Sequence, residues 1–222
     1  MKTAPTPMAQ TESALTDGRR RRGERKRMAV LSRAINVAST DGLEGLTIGR
    51  LAVDLGISKG NITVLFGDKE ALQIATLDAA VALFVTTVVK SAMSAVSPLK
   101  RLRQLCEGWF SFVEQRVLPG GCMVYASSNE YRVRPGRIRD RVNHHRQTWN
   151  GALEAAARAA QASGQLRADL DVAQLVFELT AYQAGANMAA LLGDRAAFLR
   201  ARRATADRIA AATITRAQRK PS

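Results

Sequence analysis

Apolar residues recur along this chain at helical spacing, three and four positions apart. Leu51, Ala52 and Leu55 fall on one face of a short segment, and Ile62, Leu65 and Phe66 turn inward from the next. Between them Gly56 can take the positive φ of a tight turn, and Ser58 offers an N-cap oxygen to the second segment. The stretch Thr47 to Leu72, TIGRLAVDLGISKGNITVLFGDKEAL, thus reads as two short helices joined by a turn and followed at once by a third. Ala52 is small where the helices cross, and Thr47 is an N-cap for the first. Ser58, Lys59, Gly60, Asn61, Thr63 and Val64 are left facing outward. This is the spacing of a helix-turn-helix, whose second helix lies in the DNA major groove. The plainer reading is an αα-corner in a helical bundle, but an ordinary solvated face more often carries Glu–Lys pairs than this short, nearly uncharged one.

The same periodicity orders the flanks. A first helix is expected from about Glu24 to Asp41, with Met28, Leu31, Ile35 and Ala38 buried and Gly42 ending it. A nearly all-apolar helix from Asp68 to about Ala95 connects two domains. Ser97 and Pro98 open another, and Pro119-Gly120-Gly121 breaks it. A short helix around Met123 follows, then a long one from Ile138 to Ser163. Asp169 or Asp171 caps the next, and Asp194 begins the last. The domains expected are a disordered basic arm over 1–22, a helix-turn-helix domain over 23–70, a regulatory and dimerisation domain over 71–216, and a frayed tail over 217–222.

The segment from about Arg25 to Ala80 resembles the N-terminal domain of the tetracycline-repressor-like (TetR) family of bacterial transcription regulators. The resemblance rests on GLEGLTIGRLAVDLGISKG and FGDKEAL, with Met28, Leu31, Ala34 and Ile35 on the preceding helix. Further on, PGGC, RPGRIRD and Trp149 are similar to one branch of that family. It implies an all-α chain: an N-terminal three-helix helix-turn-helix domain and a C-terminal helical bundle that binds a ligand and dimerises. It also implies a phosphate contact from Lys69, and a homodimer through the last two long helices, about 171–192 and 194–212. Ala181, Ala184, Gly185, Ala186, Ala189 and Ala190 would let those helices approach closely. The family often has an aromatic residue at the position of Thr63 and aromatic or His residues at those of Val64 and Leu65; the side chains here reach less far.

Composition agrees. The chain has 222 residues, enough for one large or two small domains, and only 5% aromatics. Its formal net charge of +14 favours polyanions, but the cations are spread along the chain and do not locate a DNA site. The densest run, RRRRGERKR over 19–27, carries seven cations against one Glu. It suits phosphate or minor-groove contact beside the helix-turn-helix, with Arg25 a member. Asn61 is placed for a bidentate contact to adenine, and Lys59 for guanine or phosphate. Thr63 can donate to phosphate and Val64 can touch a thymine methyl.

No run approaches the ~20 apolar residues of a membrane span, the basic residues of the N-terminus have no apolar stretch behind them to make a signal peptide, and no membrane partner is expected. Cys106 and Cys122 lack metal spacing, so buried thiols in a reduced cytoplasm are expected. His144 and His145 are adjacent and cannot share one metal face. With no cofactor motif, metal site or catalytic constellation, an enzyme is not expected. An apolar pocket fits better: Trp109, Phe112, Met123, Tyr125, Trp149, Phe177 and Tyr182 could line one in the C-terminal bundle, with Asn129, His144 and Glu178 orienting a small-molecule effector. The expected function is a ligand-relieved repressor that acts as a homodimer on a palindromic double-stranded operator. The alternatives are a sequence-indifferent architectural DNA binder and a ligand-modifying enzyme that has kept its helix-turn-helix.

Overall fold

A computed structural model describes residues 7–214. In order they form α1 (Pro7–Gly45), α2 (Ile48–Leu55), α3 (Lys59–Phe66) and α4 (Lys69–Phe84). A π-helical turn (Val85–Val89) runs on into α5 (Lys90–Met93). Then come α6 (Pro98–Glu114), α7 (Met123–Glu130), α8 (Arg137–Ala162), α9 (Val172–Leu191) and α10 (Arg195–Ala212). Among the described residues the only extended pairing is a single bridge between Leu166 and Thr213. The fold is all-α, with a helix-turn-helix domain followed by a helical C-terminal domain.

The N-terminal domain closes over Leu43, Leu46, Leu51, Ile62 and Leu72, all without exposed surface. Its short helices are held by their ends. Thr47, Ser58 and Asp68 each accept the backbone N–H three residues on, from Arg50, Asn61 and Ala71. Each such cap contributes about 1 kcal/mol. Gly56 adopts φ 63°, ψ 31°, the left-handed conformation that closes the turn.

α1 departs from expectation at its start and keeps to it at its end. The arm read as disordered over 1–22 is helical from Pro7 onward; residues 1–6 lie outside the described residues, as does the 217–222 tail. Proline suits a first helical turn, where its missing N–H has no partner to lose. At the other end Gly42 sits at φ 77°, ψ 168°, so the helix proper stops there and 43–45 form a separate turn. Met28 is 70% exposed. Ala38 is buried as read and Leu31 and Ile35 pack half-buried against the core, while Val30, Ala34 and Val37 fill the rest of the buried stripe.

In the C-terminal domain α6 packs along α8 and α9 along α10. Their core includes Leu102, Leu153, Leu166, Leu175 and Leu179, all fully buried. Ser97, Asp171 and Asp194 cap α6, α9 and α10. The rod Lys69–Met93 is, by length and composition, long and apolar enough to cross a membrane, against the expectation that no run would be. Here it joins the two domains, its first part packed on α1 and its last on α6. The π turn lies within this rod, where Thr86 and Thr87 donate back to the carbonyls of Ala82 and Leu83. A Cβ on Gly108 of α6 would lie 2.8 Å from Val88 Cγ1, so only glycine allows α6 this close to the turn. π turns insert one residue into the helical register, and this one places Val85 and Val89 along the wall of a cavity.

Candidate nucleic-acid interface and apolar cavity

α3 turns Ile62 and Phe66 into the core. Ser58, Lys59, Gly60, Asn61, Thr63 and Val64 are all exposed, Val64 by 87%. Ser58 Oγ is engaged in its cap, and Thr63 Oγ1 donates to the Lys59 carbonyl. A Cβ on Gly49 of α2 would lie 3.4 Å from Lys59 Cε, so the Lys59 stem leans over α2. The back of α3 is clamped by Arg27, which donates to the Leu65 carbonyl at 2.6 Å and lies 4.3 Å over the Phe66 ring. One cation of the basic run is therefore a structural clamp, whereas Arg25 is exposed on α1. Thr47 is exposed at the α2 cap. Lys69, read as a phosphate contact, is half-exposed and ion-paired with Glu44 at 3.0 Å.

The two domains are stitched together along the segment from Gly120 to Tyr131. At one end the Gly120 N–H donates to Ser39 Oγ at 2.6 Å. At the other, the carboxylate of Glu130, the last residue of α7, accepts from the backbone N–H of Leu43 at 2.9 Å and of Glu44 at 2.8 Å. Tyr131 donates to Glu44 Oε1 at 2.7 Å. That bond and the Lys69 ammonium hold the Glu44 carboxyl below its ordinary range, while burial and the same bond push the Tyr131 phenol up. On its inner side the segment is tied to α9, where Asn187 Oδ1 accepts from the Cys122 N–H at 2.8 Å.

Between α4, α6, α7 and α8 lies a cavity of about 270 Å³. Its walls include Phe84, Val89, Trp109, Phe112, Met123 and Trp149. Phe84 meets Phe112 and Trp149 edge-on, with centroids at 5.3 and 5.1 Å, and Trp109 meets Tyr125 likewise at 5.7 Å. The polar tips of two wall residues converge on Gln183 of α9: its Oε1 accepts from Trp149 Nε1 at 2.9 Å and from the Tyr125 hydroxyl at 3.3 Å. The Trp109 indole N–H is buried without an oxygen or nitrogen partner and acts on the thiol of Cys122. Both cysteines are buried, and burial pushes the Cys106 thiol up to about 12.

One wall carries charge. His145 lines the cavity while its Nε2 lies 2.7 Å from Asp78 of α4, which Arg141 also grips through two 2.7 Å bonds. Burial opposes ionisation of Asp78, but Arg141 and His145 outweigh it and hold the carboxyl below its ordinary 3.8. A carboxyl depressed on folding adds stability above its unfolded value and loses it as pH falls through the folded one. The stability gap between wild type and Asp78→Asn should therefore be widest near neutral pH and close as pH drops below 3.8. Urea unfolding across that range measures it; a constant gap would show that charge on Asp78 contributes nothing.

Of the residues read as pocket-lining, Trp109, Phe112, Met123, Tyr125 and Trp149 line this one cavity. Four others are elsewhere. Phe177 is 65% exposed on the outer face of α9, Tyr182 is half-buried on the same helix but does not line the cavity, Asn129 is exposed, and Glu178 is ion-paired with Arg208. Helical facing decides this: α9 turns Leu179, Gln183 and Asn187 inward and Phe177 out. Of the two histidines, His145 faces the cavity and His144 the solvent. The outer face of α9 exposes Phe177, Ala181, Met188 and Leu191, and α10 adds Leu199.

Residues 98–205 match the family described as tetracyclin repressor-like, C-terminal domain. No curated protein matches the chain. Many solved structures do. A TetR transcriptional regulator from Chloroflexus aurantiacus is 22% identical with a TM-score of 0.80, over 87% of this chain and 98% of that one. A Saccharomonospora viridis protein described as a transcriptional regulator, solved with choline, is 23% identical at a TM-score of 0.75, over 87% and 100%. AibR, solved with isovaleryl coenzyme A and operator DNA, is 20% identical at a TM-score of 0.60, over 73% and 85%. At such identities the likeness carries the fold alone.

Proposed function

We propose that this chain, whose residues 98–205 match the tetracyclin repressor-like C-terminal domain, is a cytoplasmic, homodimeric repressor of the tetracycline-repressor-like (TetR) family whose hold on a palindromic operator is relaxed by a small molecule. The observation that carries this reading is the outward side of α3. It is short, polar and wholly exposed, while the back of the same helix is fixed by a cap, a buried Ile62 and the Arg27 clamp. A helix so held presents side chains to a groove with little loss of freedom on binding. Asn61 reads a base edge, Lys59 a base or phosphate, and Thr47, Ser58, Gly60, Thr63 and Val64 fill the remaining contact surface. Arg25 adds phosphate affinity without sequence choice.

Dimerisation follows from the same requirement, since two recognition helices about one turn of DNA apart, ~34 Å, are needed to read a palindrome. The exposed apolar stripe of α9, with Ala184 and Gly185 beside it, supports a four-helix interface of α9 and α10 from two copies. The effector enters the cavity against α4 and α7. Both helices reach the helix-turn-helix domain, so a ligand that favours one arrangement of this junction alters the spacing of the two α3 helices. Differential affinity for the two arrangements is all the mechanism requires.

The test is selection of bound fragments from random DNA, followed by titration of the recovered operator with wild type and Asn61→Ala. The operator should be palindromic and bind two chains. Asn61→Ala should weaken it by about 1–3 kcal/mol and relax preference at one base pair of each half-site. Recovery of fragments with no common sequence would overturn the reading in favour of charge-driven, sequence-indifferent binding, in which affinity falls with salt equally on every duplex.

A further inference from the structure

Resting on the effector cavity just proposed, we infer that its ligand is an apolar molecule bearing a single anionic group, a carboxylate on a hydrocarbon or aromatic body, with the anion at Arg146. Three features of the cavity carry this. First, its deep wall has almost no polar surface to offer. Phe84, Phe112 and Met123 have no polar hydrogen, and the Tyr125 hydroxyl and the Trp149 N–H are both engaged by Gln183 behind the wall. A sugar, nucleotide or polyamine would leave its polar groups desolvated and unpaired there. Second, no acidic side chain lines the cavity, so a cationic ligand would find no counter-charge; Asp78, the carboxylate behind the lining residue His145, is already held by Arg141 and His145. Third, the charged lining residues are cationic or neutral: His145, and Arg146, whose guanidinium makes no ion pair or hydrogen bond among the described residues. Thr148 is not a competing donor, because its hydroxyl donates to the His144 carbonyl.

Arg146 is exposed at the cavity edge, which suits this role. A fully buried guanidinium would need a permanent partner, whereas one at the mouth stays hydrated until a ligand arrives. The body of the ligand then supplies affinity by leaving water, and the guanidinium supplies orientation and selection against neutral analogues.

The chain's two tryptophans both line the cavity, so its intrinsic fluorescence reports occupancy. The probes are octanoate and octanol, matched in chain length and different in charge. On the full-length protein, octanoate should bind more tightly than octanol. Arg146→Gln should weaken octanoate about five-fold, the upper range for a solvent-exposed ion pair, and leave octanol within two-fold. Ala152→Phe, which fills the cavity, should abolish both signals. If octanol binds at least as well as octanoate, and Arg146→Gln changes neither, the anionic inference is overturned while the effector cavity stands. If neither probe binds wild type, or Ala152→Phe leaves both binding unchanged, the cavity reading itself fails.

Discussion

Gly120→Ala should destabilise the chain by more than about 3 kcal/mol, beyond the usual range for an overpacked site. A Cβ at this position would lie 1.6 Å from the Ser39 carbonyl oxygen, 2.5 Å from its carbon and 2.9 Å from Ser39 Oγ. Two of those three atoms are backbone of α1 and cannot rotate away. Relief requires the turn before α7 to lift from the N-terminal domain. Lifting would also break the buried bond from the Gly120 N–H to Ser39 Oγ, leaving a donor unpaired at about 1–3 kcal/mol. The glycine is thus required by close approach, since its φ is not among the positive ones. Gly151→Ala is the opposite case. That glycine lies inside α8, and an added Cβ would meet nothing within 4 Å, so alanine there should stabilise by up to about 1 kcal/mol. Urea unfolding of the two variants should move the midpoint in opposite directions. A Gly120→Ala protein within about 1 kcal/mol of wild type would show that the domains do not meet as closely as described.

How far the chain could be read in advance depended on the distance over which each feature is specified. The helix-turn-helix was legible because every part of it is local. Thr47, Ser58 and Asp68 cap within three residues, and Gly56 closes its turn at φ 63°. The cavity was legible in part. Residue type marks Trp109, Phe112 and Trp149 but not which way a helix faces, and less than two turns of α9 separate Phe177 on the outside from Gln183 on the inside. Residue type also could not separate His145 from His144; that needed Asp78, which lies 67 residues away along the chain. The Lys69–Glu44 pair shows the same limit, since nothing local to Lys69 reveals a carboxylate brought beside it from 25 residues away. The helical start of α1 was missed because a polar, basic composition with no apolar stripe resembles a solvated coil. Glu130 was invisible for the plainest reason: its partners are backbone amides, which carry no signature in residue type.

Glu130→Ala should cost about 2 kcal/mol, and it should do so locally. Its carboxylate accepts two backbone N–H groups, and bonds to a charged group contribute about 1.5–3 kcal/mol each. The Glu44 amide is exposed and can turn to water, while the Leu43 side is partly buried, so the net loss is closer to one bond than two. Hydrogen exchange reads it directly. Protection of the Leu43 amide should fall about thirty-fold, the equivalent of about 2 kcal/mol, with the core of α8 and α9 unchanged. The consequence for regulation comes from where the bond sits. α7 carries Met123, Val124 and Tyr125 on the cavity wall and ends in Glu130 on the link between α1 and α2, so one helix touches both the cavity and the N-terminal domain. Coupling between two sites requires a part that both bias; without the Glu130 grip, movement of α7 no longer obliges Leu43 and Glu44 to follow. The variant should therefore keep operator affinity and cavity binding within a few-fold of wild type while a releasing compound loses most of its effect on DNA. Glu130→Gln, which keeps an acceptor for one of the two amides, should fall between. Full release in Glu130→Ala, together with lost Leu43 protection, would place the transmission in the Lys69–Met93 rod instead, through Asp78 and its grip on His145.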